Sequence, residues 1–120
     1  MVGKDARVLV VDDNKDMRDV LATVLEEDGY HVETACNGAD ALRKANARAP
    51  DAIILDVRMP VMDGWEFLAK WRNRSPDRRA PVLVVSSMPE RWIALDRGAQ
   101  GYLSKPFDID TLEATLASVL

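Results

Sequence analysis

Short apolar runs alternate with stretches in which apolar residues recur about every three to four positions. Val8–Val11 is short, apolar and largely β-branched, and reads as a buried strand. Across Asp16–Asp28, Met17, Val20, Leu21, Val24 and Leu25 share one helical face, and Gly29 stands where helices commonly end. Tyr30–Ala35 alternates as a strand does. Asn37–Arg48 predicts a helix with Ala41, Leu42 and Ala45 inward, closed by Pro50. Ala52–Leu55 reads as the most buried strand, and Pro60 with Asp63-Gly64 marks a turn-rich loop. Trp65–Arg74 reads as a helix, with Trp65, Leu68, Ala69 and Arg72 at helical spacing. Val82–Val85 is another strand. Ser87-Met88-Pro89-Glu90 fits a capping box, with Ser87 as N-cap and Glu90 answering it, and opens a short helix that stops before Gly98. Gly101–Ser104 is the last strand, and Asp108 caps a final helix carrying Ile109, Leu112, Leu116 and Val119.

Strand and helix thus alternate five times, which predicts an α/β domain: a parallel sheet covered by helices on both faces. In such sheets ligands gather outside the carboxyl ends of the strands. The residues at those ends are unusual here. The first strand stops on Asp12-Asp13 and the third on Asp56, while Ser86 follows the fourth and Lys105 the fifth. Carboxylates are costly to bury unpaired. If the first and third strands are neighbours, three carboxylates converge, and unit charges ~4 Å apart repel by roughly 4 kcal/mol at a surface-like dielectric. A hard divalent cation, which takes oxygen ligands, relieves that repulsion, so the pattern points to Mg²⁺.

The remaining composition narrows the picture. The length of 120 residues suits one domain, and the net charge of -4 disfavours direct nucleic-acid binding, which needs a basic face. Arg72, Arg74, Arg78 and Arg79 read as a solvated helix end and loop. The lone Cys36 builds no disulfide framework or zinc site and suits a reducing compartment. The N-terminus carries no apolar signal segment, and no apolar run is long enough for a membrane span, so a cytoplasmic location without membrane contact is expected.

In order and on their elements, Asp12-Asp13, Asp56 with Met59-Pro60 and Asp63-Gly64, Ser86, Gly98-Ala99, Tyr102 and Lys105-Pro106-Phe107 resemble the receiver domain of two-component response regulators, along essentially the whole chain. The resemblance implies a doubly wound (βα)5 flavodoxin-like domain over residues 1–120, with strand order 2-1-3-4-5 and no output domain within it. It also implies the roles. Asp56 is the phosphoacceptor, and Asp13 ligates Mg²⁺, with Asp12 coordinating directly or through water. Asp56 and the backbone carbonyl of Arg58 complete the metal set; Lys105 and Ser86 meet phosphoryl oxygens. Bland readings stand beside these. Either of Asp12 and Asp13 suits a helix N-cap, Ser86 suits a strand-to-helix turn, and Asp63 suits a structural turn. Asp5, Asp16 and Asp51 read as solvated or capping. His31 lies in the second strand away from the site end, so the phosphohistidine comes from a sensor kinase or a histidine phosphotransfer protein.

By the same resemblance, Ser86 and Tyr102 form the switch. It would remodel the face made by the fourth helix, fifth strand and fifth helix, for a downstream protein or output domain and for homodimerisation on phosphorylation. Three features depart from the family. The Ser86-to-Tyr102 stretch is short, so the fourth helix is expected to be short or irregular. Ser87 stands where alanine or glycine is common. Arg58 and Met88 are bulky at positions that govern water access, which suggests slow hydrolysis. Trp92 is expected to pack through an amphipathic helix face, with a partner contact as the alternative. A haloacid-dehalogenase-like phosphohydrolase would need an aspartate at position 58, where arginine stands; a flavodoxin-like cofactor binder would need a hydroxyl-rich loop where Asp12-Asp13-Asn14 stands. The chain is thus expected to turn over no external substrate and to catalyse only its own phosphorylation and dephosphorylation.

Overall fold

A computed structural model describes residues 5–56, 64–73, 80–87 and 91–120. Its elements run β1 (Arg7–Val11), α1 (Lys15–Glu27), β2 (His31–Ala35), α2 (Gly38–Ala47), β3 (Ala52–Asp56), α3 (Gly64–Arg72), β4 (Val82–Ser86), α4 (Arg91–Asp96), β5 (Gly101–Ser104) and α5 (Ile109–Val119). All strand pairings are parallel and the order is β2-β1-β3-β4-β5, the order the resemblance implied. Arg58, the Met59-Pro60 pair, Asp63, Arg74, Arg78, Arg79 and the Met88–Glu90 part of the capping box lie outside the described residues.

The near-continuous apolar strands are explained by two cores, one on each side of the sheet. Because side chains alternate along a strand, Leu9, Val11, Ile53, Leu55, Val82 and Val84 meet α2, α3 and α4. Val8, Val10, Ile54, Leu83, Val85 and Leu103 meet Leu21 and Leu25 of α1 and Leu112 and Leu116 of α5. Helix ends follow local chemistry. Asn14, Asn37 and Asp108 each accept a backbone N–H of the first turn, from Met17, Asp40 and Thr111. Gly29 and Gly98, just past α1 and α4, have φ of 96° and 101°, a region that L side chains avoid.

Two expectations about side-chain faces are corrected. In α3 the inward residues are Phe67, Leu68 and Trp71; Ala69 and Arg72 are exposed and Trp65 is only partly buried. Phe67 and Trp71 are four apart and stack with ring centroids 6.0 Å apart, and the Trp71 indole N–H donates to the Ala80 carbonyl at 3.1 Å. Each ring buries ~150–250 Å², far more than an alanine on the other face could, so the helix turns to cover them. Trp92 does not pack inward: it is 71% exposed. Helix α4 is six residues long, as short as anticipated, and only Ala94 is buried on it. Two residues from Ala94 is about 200° around a helix, which turns Trp92 away from the sheet.

Gly98 offers a local test of this packing. A Cβ there would meet the exposed Arg72 side chain, which can move aside, so the cost lies in the positive φ. Gly98→Ala is expected to destabilise the domain by about 1–3 kcal/mol. Asn37→Ala, which removes one cap, is expected to cost about 1 kcal/mol. Urea unfolding midpoints at constant slope check both.

Candidate functional site

The acidic site forms because β1 and β3 are adjacent and in register, with Val11 opposite Leu55. Asp12, the residue after β1, and Asp56, the last of β3, therefore arrive at the same level of the sheet edge. Both are buried, at 3% and 6% exposure, whereas Asp13 is exposed. One carboxylate oxygen from each of the three residues lies within 4.8 Å of the others. The convergence expected from the strand ends is thus present.

Lys105 closes the cluster from the other side. Its Nζ is 3.2 Å from Asp56 Oδ2 and 3.6 Å from Asp12 Oδ2. The lysine follows β5, and its backbone N–H donates to the Ser86 carbonyl at 2.8 Å, which ties the ends of β4 and β5 together. Pro106 follows across a cis peptide bond. Ser86 is the fully buried last residue of β4, one position beyond Val85, the register partner of Asp56. Tyr102 is buried in β5, with the Arg91 guanidinium 5.4 Å over its ring.

Asp12 is held by three further hydrogen bonds besides its ion pair with Lys105. Its N–H donates to the Ala35 carbonyl at 3.1 Å, its Oδ1 accepts the Asn14 N–H at 2.9 Å, and its carbonyl accepts Arg18 Nη1 at 2.8 Å. Burial pushes its pKa above the ordinary 3.8; the Asn14 N–H opposes this, the Asp56 charge adds to it, and Lys105 opposes it. Neither aspartate caps α1: the cap is Asn14. Asn14 and Arg18 were not singled out from the sequence, although an asparagine two residues before a helical face is a readable N-cap signal. Asp51 accepts the Arg7 N–H at 2.8 Å and is structural. His31 is exposed at the opposite, amino-terminal end of its strand, and Cys36 is exposed.

These residues suit a hard divalent cation. Three carboxylates and one ammonium leave two formal negative charges, which such an ion cancels, and every side-chain donor in the acidic cluster is oxygen, as Mg²⁺ prefers and zinc or copper do not require. Among the described residues, no helix is long and apolar enough to cross a membrane.

Comparison with known proteins agrees with this geometry. A family model described as "Response regulator receiver domain" matches residues 8–117. The chain is 41% identical over 117 residues to the response regulator MprA of Mycobacterium ulcerans, covering 95% of this chain and 50% of that protein. It is 43% identical to the transcriptional regulatory protein PrrA of Mycobacterium tuberculosis, covering 95% and 49%. The chain therefore spans about half the length of the curated relatives it matches. Among solved structures, the chemotaxis protein CheY4 of Vibrio cholerae superimposes with a TM-score of 0.88 at 42% identity, covering 97% of this chain and 99% of that one.

The raised pKa of Asp12 has a signed consequence. A carboxyl whose pKa is higher in the fold than in the unfolded chain favours folding when protonated; that contribution is full below 3.8 and is lost as pH rises through the raised value. Asp12→Asn keeps an oxygen acceptor for the Asn14 N–H without the charge. In EDTA it is expected to be more stable than the parent protein, by a margin that grows as pH rises above 3.8 and levels off once it passes the raised value. Thermal melts across that range check it.

Proposed function

The chain belongs to the response regulator receiver domain family, and we propose that it is the phosphoacceptor of a two-component relay in which Asp56 takes a phosphoryl group from a partner's phosphohistidine. The observation that carries this reading is the setting of Asp56: a buried carboxylate at a strand end, 3.2 Å from Lys105 Nζ and grouped with Asp12 and Asp13.

The chemistry requires little covalent work from the protein; positioning and charge neutralisation dominate. An Asp56 oxygen attacks phosphorus in line with the donor imidazole. The new P–O bond forms as the P–N bond breaks, and the departing nitrogen keeps the electron pair and takes up a proton. Mg²⁺, held by Asp13, by Asp12 directly or through water, by Asp56 and by the Arg58 carbonyl, would supply charge neutralisation at the phosphoryl oxygens. Lys105 exchanges part of its interaction with Asp56 for a second phosphoryl oxygen, and Ser86 donates its hydroxyl to a third. The domain then catalyses only its own phosphorylation and dephosphorylation, in the cytoplasm, with a slow hydrolysis that reflects the bulk of Arg58 and Met88.

Two surfaces fit the two partners. An apolar depression of about 450 Å³ opens beside Lys105, between α1 and the start of α5, lined by Met17, Val20, Leu21, Phe107 and Ile109. It suits the helix of a histidine-bearing donor, laid so that its phosphoryl group reaches Asp56. On another side, Trp92 and Leu95 of α4 are 71% and 45% exposed. Movement of Ser86 toward the phosphoryl group would shift the loop after β4, alter the packing of Tyr102 and change this α4–β5–α5 face. That change would be the signal to a downstream protein or output domain, or to a second copy of the chain.

Intact mass after incubation with acetyl phosphate tests the chemistry. The protein is expected to gain one phosphoryl group with Mg²⁺ and none in EDTA. Asp56→Asn is expected to gain none under either condition. A gain that survives Asp56→Asn would overturn the assignment.

A further inference from the structure

Asp13 is the exposed member of the acidic cluster, and among the described residues no side chain donates a hydrogen bond to its carboxylate. Its position must come from its backbone. The carbonyl of Asp12 and the N–H of Asp13 belong to one rigid peptide plane. That carbonyl accepts Arg18 Nη1 at 2.8 Å, while the N–H of Asp12 is tied to the Ala35 carbonyl of β2 at 3.1 Å. The plane leading into Asp13 is thus held by the Arg18 side chain, and the plane before it, Val11–Asp12, by the sheet.

Arg18 is well placed for this. It lies one turn into α1, where its own N–H donates to the Asn14 carbonyl at 3.0 Å. The same helix is anchored on the sheet by Leu21 and Leu25, both buried. The guanidinium is half-buried and reaches back six residues along the chain to the end of β1. We infer that Arg18 is a positioning residue for the metal site: through the Asp12 carbonyl it fixes the Asp12–Asp13 peptide plane and so aims the Asp13 carboxylate into the cluster. The inference rests on the reading of that cluster as an Mg²⁺ site.

The electrostatic effect of Arg18 has the opposite sign, which makes the inference testable. A cation beside an acidic cluster opposes the binding of a divalent cation, so removing it for charge reasons alone would tighten Mg²⁺ binding. Removing a positioning contact weakens binding, as loss of an outer-shell partner of a metal ligand typically does.

Isothermal titration of the metal-free chain with MgCl₂ reads this directly. Arg18→Met, which keeps an unbranched side chain without donors, is expected to raise the Mg²⁺ Kd by about 10-fold. Arg18→Lys, which restores one donor on a long stem, is expected to recover part of that loss. Should Arg18→Met fail to melt cooperatively, Arg18→Gln carries the test, since its amide is too short to span the same gap; the same weakening is expected. An unchanged or lower Kd in the folded neutral variant overturns the inference. Absence of Mg²⁺ binding by the parent protein would instead overturn the metal reading itself, so the two failures are distinguishable.

Discussion

Repulsion among three carboxylates at the ends of two adjacent strands is the constraint around which this domain is organised. Asp12 and Asp56 are both buried, and Asp13 stands beside them. Folding places like charges where burial already disfavours them, as the raised pKa of Asp12 registers. The compensation is local. Lys105 sits within 3.6 Å of both buried carboxylates, and the Asn14 N–H meets Asp12 Oδ1. The cluster still carries net negative charge, which suits it to a hard divalent cation.

Holding such a site requires a stiff platform, and the two-sided sheet provides one. The central strands β1, β3 and β4 are buried from both faces, so their ends cannot shift independently without disturbing a core. Side-chain and backbone ties then join the strand ends at the level of the site: Asp12 to Ala35 and Lys105 to Ser86 between neighbours, Lys105 to Asp56 across β4. Residues contributed by β1, β3, β4 and β5 are in this way fixed relative to one another.

The opposite property characterises α4. It is six residues long, with Ala94 its one buried residue, and two arginine–aromatic contacts flank it: Arg91 over Tyr102 and Arg97 over Trp65, the latter at 5.0 Å. Such contacts are worth ~0.5–2 kcal/mol each, less than a well-packed apolar face. A rigid site is thus joined through β4 and β5 to a lightly held helix.

Much of this was written in the sequence. Apolar run lengths, Gly29 and Gly98 at helix ends and the cap at Asp108 placed the elements to within about two residues, apart from the start of α4, because period and capping are local properties. The carboxylates that end strands pointed to the acidic cluster, since such groups are costly to bury unpaired. Local pattern could not choose between the two faces of α3, where the pairing of Phe67 with Trp71 outweighed the spacing of Trp65 and Ala69. Nor could it turn Trp92 outward, decide that Asn14 rather than an aspartate caps α1, or bring Arg18 to the carbonyl of Asp12. Those outcomes depend on how much area each face buries and on which atoms meet across elements. Sequence fixes which groups are available and on what period they recur; only the packed sheet, by setting register and distance, determined which of them touch.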